Sequence, residues 1–273
     1  MTDSSPSDAA TAWSPSLVRL AVWYRYWYGR RSLNAEPHPG AVTFDWKREL
    51  QDPLRFDVPS PRAFERLVGD AGIATESTVV LYGGVMNWFA AYAYWLFSYH
   101  GHTDVSLLDG GRDDWIERDG PLTDERLSFA PREYEADPPD ASIRIDRSEL
   151  QRALDTGLRI VDVRSPQEFR GEILAPPGGT RAASAAATSP TRSTSRGVGR
   201  CVRTAGSGRR TGGAVRGRGV GEVETVLYCR IAERSALVRV VLHELLGHDD
   251  VRHYYGSWVE WRNTVGGPIE RGE

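Results

Sequence analysis

Cysteine and lysine are nearly absent from this chain of 273 residues, which has only Cys201, Cys229 and Lys47. Two cysteines in different surroundings do not make a disulfide framework, and this favours a reduced, cytoplasmic setting. Arginine takes the place of lysine, since the two together number 34. We interpret that bias as the codon usage of a GC-rich gene and not as a functional signal.

A strong net charge and long apolar runs are also missing. The formal net charge is only -3, and a balance of this kind gives no global field that would attract nucleic acid or a membrane surface. No apolar run approaches the roughly 20 residues of a membrane-spanning helix. The polar and acidic residues 1–12 do not have the pattern of a signal peptide. We therefore expect a monomer without nucleic-acid or membrane partners.

One segment concentrates the features of a reactive thiol. An apolar run from Thr225 to Tyr228 predicts a buried strand, Cys229 follows it, and a helical pattern covers residues 236–246. A turn with converging N–H groups and a helix N-terminus both stabilise a thiolate and an anion beside it. We therefore predict that the pKa of Cys229 lies well below its usual ~8.5. The competing interpretation is a buried cysteine that acts as a small hydrophobic residue.

The residues around Cys229 fit sulfur chemistry. A thiolate that attacks a sulfane sulfur forms a persulfide, whose charge loop amides can hold. Arg230 and Arg234 suit a dianionic oxyanion such as thiosulfate or sulfite, because a guanidinium pairs well with two oxygens. The backbone groups expected to form the cradle belong to Ile231, Ala232, Glu233 and Ser235.

A second charged cluster follows another apolar strand pattern. Asp162 and Arg164 stand at its end, where parallel sheets place their sites. Arg164 is a candidate substrate ligand and Asp162 a supporting residue, with a structural ion pair as the competing interpretation. Ser165, Pro166 and Glu168 predict a helix that begins with a capping box.

The chain also repeats itself weakly at a spacing of 146 positions, which is the size of a domain. Val80-Leu81-Tyr82 aligns with Val226-Leu227-Tyr228, and Gly101-His102 aligns with Gly247-His248. In each copy a strand, a loop, a helix and a second strand follow in order. This predicts an α/β fold in which mainly parallel sheets are flanked by helices.

The repeat divides the chain into two predicted domains. The N-terminal domain covers residues 1–130, a linker covers 131–142, and the C-terminal domain covers 143–273. Gly83 stands at the position of Cys229 in the first copy. Only the C-terminal domain is therefore predicted to be catalytic.

Three motifs together resemble the two-domain rhodaneses of bacteria, which are thiosulfate sulfurtransferases. Cys229-Arg230-Ile231-Ala232-Glu233-Arg234-Ser235 is similar to their Cys-Arg-Ile-Gly-Glu-Arg-Ser active loop. Asp162-Val163-Arg164-Ser165 with Glu168-Phe169 resembles their Asp-Val-Arg-Ser-x-x-Glu-Phe motif, and Gly256-Ser257-Trp258 with Glu260-Trp261 resembles their closing Gly-Ser-Trp-x-Glu-Trp. The resemblance extends over about residues 38–177 and 223–270.

The resemblance implies a fold, a reaction and a set of partners. The fold would be two tandem rhodanese-like domains. Sulfane sulfur would pass from thiosulfate to cyanide, a thiol acceptor or another thiophile through a Cys229 persulfide, without a metal or an organic cofactor. An arsenate reductase or cysteine phosphatase is the first alternative, but those enzymes separate Cys and Arg by five residues, and only four lie between Cys229 and Arg234. A 3-mercaptopyruvate sulfurtransferase usually has Cys-Gly-Ser-Gly, without an equivalent of Arg230.

Two departures from the family pattern keep an inactive rhodanese-like protein as a further alternative. Ala232 replaces a glycine, which costs about 1 kcal/mol if the loop needs a positive φ there. Residues 178–222 contain nine arginines and eleven glycines and show no helical or strand periodicity. A disordered basic insertion is one interpretation, and we favour an out-of-frame stretch of a GC-rich gene. We apply the out-of-frame interpretation to the sequence near the N-terminus as well. We assign no role to Cys201.

Overall fold

The computed structural model describes residues 17–23, 41–123, 129–175 and 223–269. Its first sheet has four parallel strands in the order β2-β1-β3-β4. The strands are β1 (Leu17–Trp23), β2 (Ala41–Asp45), β3 (Thr78–Tyr82) and β4 (Val105–Leu107). The helices in this half are α1 (Trp46–Glu49), α2 (Pro61–Asp70), α3 (Trp88–Tyr99) and α4 (Gly111–Glu117).

The second sheet also has four parallel strands, in the order β5-β8-β7-β6. The strands are β5 (Arg144–Ile145), β6 (Arg159–Asp162), β7 (Thr225–Tyr228) and β8 (Val251–Tyr254). The helices are α5 (Arg147–Ala153), α6 (Pro166–Phe169), α7 (Glu233–Val240) and α8 (Ser257–Arg262). After α7 the chain continues as a π-helical turn, Val241–Leu245.

Local sequence explains where several helices begin. The Ser60 hydroxyl accepts a hydrogen bond from the Ala63 N–H, and Pro61 occupies the first helical position of α2. Asp146 accepts from the Glu149 N–H at the start of α5. Such caps satisfy N–H groups that have no partner within the helix.

One apolar core joins the two sheets, and a second, smaller cluster of buried side chains belongs to the second half alone. The helix α3 is buried along most of its length and packs directly against α7. Phe89, Tyr92 and Trp95 of α3 belong to the same cluster as Leu237 and Val241. A helix that is apolar on all sides has to be covered on all sides, and here the first sheet and α7 cover it together.

The α/β fold with parallel sheets is confirmed. The helix predicted over residues 236–246 begins three residues earlier and changes to π-helical geometry after Val240. Residues 131–142 lie along the first half, where Arg132 N–H donates to the Gly69 carbonyl at 2.9 Å. Residues 178–222, which include Cys201 and for which we favour the out-of-frame interpretation, lie outside the described residues. Within the described ranges, no helix has the length and apolar character needed to cross a membrane.

Candidate active site

The loop between β7 and α7 carries the cysteine that the sequence singles out. β7 ends at Tyr228, Cys229 follows, and α7 begins at Glu233. The start of α8 anchors this loop, because the Trp258 N–H donates to the Cys229 carbonyl at 3.0 Å and the Val259 N–H donates to the Arg230 carbonyl at 3.1 Å. The predicted order of strand, cysteine, loop and helix is confirmed.

The thiol of Cys229 is fully buried, and this corrects its predicted pKa. Burial is the largest effect and raises the pKa of the thiol, and the negative charge of Glu233 raises it further. The positive charge of Arg234 and hydrogen bonds from the hydroxyl and N–H of Ser235 act in the opposite direction without outweighing burial. The prediction of a depressed pKa is wrong, because it counted dipoles and cations but not the cost of removing a thiolate from water.

Glu233 contacts the thiol directly. Cys229 Sγ donates a hydrogen bond to Glu233 Oε2 at 3.4 Å, and Glu233 Oε1 lies 3.3 Å from Arg234 Nε. The Glu233 side chain is almost completely buried. From the sequence we expected only the backbone of Glu233 to matter. The spacing of four residues between Cys229 and Glu233, across the start of a helix, is the signal that could have identified this contact.

Arg230 places a buried positive charge beside the cysteine. Its side chain is 1% exposed, and its Nε and Nη2 have no hydrogen-bond partner in the described part of the chain. Burial lowers the pKa of Arg230, although the charges of Glu233 and Glu168 act to raise it. Buried donors without partners are costly, and a buried charge is costly unless it is paired. The guanidinium is therefore suited to an anionic ligand.

Arg234 is held by a carboxylate from another element. Its Nη1 and Nη2 donate to Glu168 Oε2 and Oε1 at 2.7 and 3.1 Å. Glu168 is also the carboxylate of the predicted capping box, which is confirmed: its Oε2 accepts from the Ser165 N–H at 2.9 Å. Burial would lower the pKa of Arg234, but the charges of Glu233, Cys229 and Glu168 raise it. Arg234 thus lies near the thiol while paired within the protein.

Asp162 and Arg164 form a buried ion pair. Arg164 Nε lies 3.0 and 2.9 Å from the two Asp162 oxygens, and Nη2 lies 2.7 Å from Oδ2. The Tyr228 hydroxyl donates to the same Oδ2 at 2.8 Å. The Arg164 guanidinium carbon lies 4.3 Å from the ring centre of Trp258. The geometry matches the structural interpretation of Asp162 and places Arg164 between the two strand ends and α8.

Ala232 has the left-handed conformation that the family's glycine suggested. Its φ is 80° and its ψ is -23°, and it immediately precedes α7. The methyl group is buried at 1% exposure. An L-residue in this region of φ is strained, so the loop keeps its shape against a local cost.

Comparisons with known proteins identify the family of this chain. The model of the rhodanese-like domain matches residues 28–118. A protein of Haloferax volcanii, provisionally named a thiosulfate sulfurtransferase, is 46% identical over 240 aligned residues, covering 86% of this chain and 83% of that protein. The chain belongs to the rhodanese family. A second relative of this rhodanese, the sulfur carrier protein TtuD of Thermus thermophilus, is 40% identical over 243 residues, covering 86% of this chain and 85% of that protein.

Solved structures share the rhodanese fold described above. The anaerobic ergothioneine biosynthesis enzyme of Chlorobium limicola, solved with trimethyl histidine, matches with a TM-score of 0.74 at 21% identity. The match covers 94% of this chain but only 65% of that one. This rhodanese therefore spans about two thirds of the solved chain, and the likeness shows the fold alone.

Two residues of this rhodanese support the loop although the sequence did not identify their contacts. The Ser257 hydroxyl accepts from the Cys229 N–H at 3.3 Å and donates to the Tyr254 carbonyl at 3.1 Å. His253 Nε2 lies 2.9 Å from Ser235 Oγ. Burial, followed by the charges of Arg239 and Arg144, lowers the pKa of His253 to about 3, so its ring is neutral. The resemblance of the Gly-Ser-Trp motif was the available signal for Ser257.

In the first half, the loop that corresponds to the Cys229 loop is occupied by the side chain of Asn87, one of its own residues. Asn87 Oδ1 accepts from the Gly83 N–H at 2.8 Å, and Asn87 Nδ2 donates to the Leu108 carbonyl at 2.7 Å. Gly111 lies so close that a Cβ there would be 2.4 Å from Asn87 Oδ1. No thiol or guanidinium belongs to residues 83–88, so this loop does not reproduce the chemistry of the Cys229 loop.

A cavity of about 780 Å³ lies away from the cysteine and has the wrong charge for thiosulfate. Among its lining residues, acidic side chains outnumber the arginines, which are Arg239 and Arg252. The acidic lining residues are Asp137, Asp140, Glu224, Glu244, Asp249 and Asp250. A dianion would be repelled there, and we do not place the sulfur donor in it.

Proposed function

We propose that this rhodanese is a thiosulfate sulfurtransferase that passes sulfane sulfur to cyanide or another thiophile through a persulfide on Cys229. The observation that carries the proposal is the buried guanidinium of Arg230, the residue that follows Cys229 in the loop. Its Nε and Nη2 lack hydrogen-bond partners among the described residues. A guanidinium pairs with two oxygens of one oxyanion, and thiosulfate carries such oxygens next to its sulfane sulfur.

The residues of the loop take separate roles in this proposal. Cys229 is the nucleophile, and Arg230 is the principal ligand of the oxyanion. Arg234 and Arg164 add positive charge while they remain paired with Glu168 and Asp162. The persulfide is held by backbone groups of the loop and of the start of α7, contributed by Ile231, Ala232, Glu233 and Ser235.

The physiological acceptor is proposed to be a protein or small-molecule thiol. The name of the Thermus thermophilus relative describes a sulfur carrier, and a carrier hands its sulfur to another molecule. A persulfide whose outer sulfur is taken by a thiolate supports the same transfer as cyanide does. Cyanide remains the convenient acceptor for an assay.

The organisation of the chain is part of the same proposal. We propose two tandem rhodanese-like domains, over residues 1–130 and 143–273, with a linker over 131–142 and catalysis in the second. The two four-stranded parallel sheets and the Asn87-filled loop support it. We also propose a monomer in the cytoplasm, and the scarcity of cysteine supports that location.

Thiocyanate formation from thiosulfate and cyanide tests the function. The wild-type protein should form thiocyanate, and after thiosulfate alone its mass should increase by one sulfur atom. Cys229→Ser should abolish both results, and thiocyanate formed by that variant would disprove the mechanism. Supplying 3-mercaptopyruvate as the donor in parallel distinguishes the alternative sulfurtransferase.

Arg230→Met tests the oxyanion ligand. We expect the KM for thiosulfate to rise roughly 10- to 100-fold, because hydrogen bonds to charged groups contribute about 1.5–3 kcal/mol. The free energy of unfolding should change little, because removal of the buried, unpartnered Nε and Nη2 donors offsets the lost attraction to Glu233 and Glu168. A KM equal to that of the wild type would place the donor elsewhere.

A further inference from the structure

The proposed reaction requires the thiol of Cys229 to lose its proton inside a buried site. Its Sγ donates to Glu233 Oε2 at 3.4 Å, and both side chains are almost completely buried. Because burial raises the pKa of this thiol, its protonated form predominates more than it would in water. The chemistry therefore needs an acceptor for that proton, and Glu233 is already its hydrogen-bond partner.

The charges around the thiol favour transfer of its proton within the site over loss of the proton to solvent. Arg230 lies on the loop, Arg234 on α7 and Glu168 on α6. Asp162 at the end of β6 and Arg164 just after it form their own pair. On β8, His253 is neutral and reaches the loop through Ser235. The three carboxylates Glu233, Glu168 and Asp162 thus balance three guanidiniums when the thiol is neutral. Loss of the proton to solvent would add a negative charge beside Glu233, whereas its transfer to Glu233 leaves the local charge unchanged.

We propose that Glu233 is the general base of sulfur loading, an inference that rests on the proposed function. Cys229 Sγ attacks the sulfane sulfur of thiosulfate, and a new S–S bond forms. The S–S bond of thiosulfate breaks, and sulfite leaves with its electron pair. The thiol proton passes to Glu233 Oε2. Thiosulfate, thiol and carboxylate thereby become sulfite, persulfide anion and carboxylic acid, with the same total charge.

The same proton then serves the second half of the cycle. Protonated Glu233 donates a hydrogen bond to sulfur, so a carboxylate no longer faces the persulfide anion. When a thiophile removes the outer sulfur, Cys229 is left as a thiolate and takes the proton back. Sulfur transfer through this pair requires no net exchange of protons with solvent.

Glu233→Gln tests the base because it keeps the shape of the side chain and removes its basicity. Sulfite release in a single turnover would be measured from about pH 6 to about pH 9, with wild type expected to be nearly independent of pH in this range. The Gln variant should load sulfur on the order of 10²-fold more slowly near pH 6 and gain roughly tenfold per pH unit. Glu233→Asp, which keeps the carboxylate, should retain the flat profile at a reduced rate.

Alkylation by iodoacetamide supplies a readout that does not depend on sulfur transfer. All variants would carry Cys201→Ser, so that Cys229 is the one thiol of the chain. Glu233→Gln should shift the alkylation profile toward lower pH, because the carboxylate charge that raises the thiol pKa is gone. A role in packing alone would lower the rates evenly and leave both pH profiles in place, which would overturn the assignment.

The matched control is Glu117→Gln, the same substitution at an exposed position on α4. It should leave both profiles unchanged. If the wild-type protein loads no sulfur, both the proposed function and this inference are overturned. If the wild-type protein loads sulfur and the Glu233→Gln variant keeps both the flat profile and the wild-type rate, only the role of Glu233 is overturned.

Discussion

Among single residues, Ala232 shows the clearest conflict between side chain and backbone. Its φ of 80° belongs to the left-handed region, where an L-residue costs roughly 1–2 kcal/mol. The residue immediately precedes α7 and helps to set the direction in which the loop amides point. The strain is therefore located in the part of the molecule that surrounds the thiol.

We expect Ala232→Gly to change the free energy of unfolding by less than about 1 kcal/mol. Glycine removes the strain, while its freedom in the unfolded chain offsets about 0.4–1 kcal/mol of that gain and the loss of the buried methyl group offsets about 0.8 kcal/mol more. The midpoint and slope of urea unfolding measure the change. Ala236→Gly, within α7 and with its methyl group fully buried, is the control and should destabilise by about 1–2 kcal/mol. Equal destabilisation of the two variants would show that Ala232 is not strained.

The sequence predicts residues with local signatures better than residues whose role depends on burial. Cys229 and Arg230 follow from a strand, a loop and a helix within one short segment, and the structure places them together. The direction of the thiol pKa could not be predicted, because burial, its largest cause, depends on parts of the chain that are distant in sequence. The hydrogen bond from Cys229 to Glu233 could not be predicted for the same reason.

Among the secondary-structure elements, α6 and α7 are joined by one carboxylate. Glu168 completes the capping box of α6 and also pairs with Arg234 of α7, 66 residues further along the chain. The capping box is a pattern of neighbours, so the sequence predicts it. The pairing with Arg234 depends on how β6 and β7 lie side by side, which no local pattern encodes.

We expect Glu168→Gln to destabilise the protein by about 3–5 kcal/mol at neutral pH, because Arg234 loses its buried partner. Burial raises the pKa of Glu168, but the hydrogen bonds and charge of Arg234 outweigh it, and the net pKa is lowered. A lowered pKa gives stability that is present above the unfolded pKa of about 4.3 and is lost as the pH falls through the folded pKa. The difference between variant and wild type should therefore shrink in acid.

Urea unfolding at neutral and acidic pH measures this difference. Glu172→Gln is the control, since Glu172 pairs with Arg170 at the surface and should show little change at neutral pH. If Glu168→Gln lowers the free energy of unfolding by the same amount at neutral and acidic pH, the Glu168 charge does not stabilise the fold.

At the scale of the whole molecule, an apolar core joins the two sheets. The sequence of any one element does not predict that contact. The sequence predicts that α3 is apolar and helical, but it leaves open what covers it. In the structure α7 packs on it, and the Tyr92 hydroxyl donates to the Tyr255 hydroxyl at 3.0 Å and lies 2.9 Å from the Leu50 carbonyl. The loop of Cys229 thus leads into a helix that packs against α3 of the first half as well as against β7 and β8 of its own half.

This shared core leads us to expect that the two halves unfold in one cooperative transition. Interfaces between domains that are small and polar allow independent unfolding, whereas α3 and α7 share buried apolar side chains. Tryptophan fluorescence and far-UV circular dichroism should give coincident urea curves. Tyr92→Phe should move both curves together to lower urea, by about 1–2 kcal/mol, since it removes a buried hydroxyl from two partners. Two separated transitions, with only one of them sensitive to Tyr92→Phe, would show that the halves are stable independently and that the position of α7 does not depend on α3.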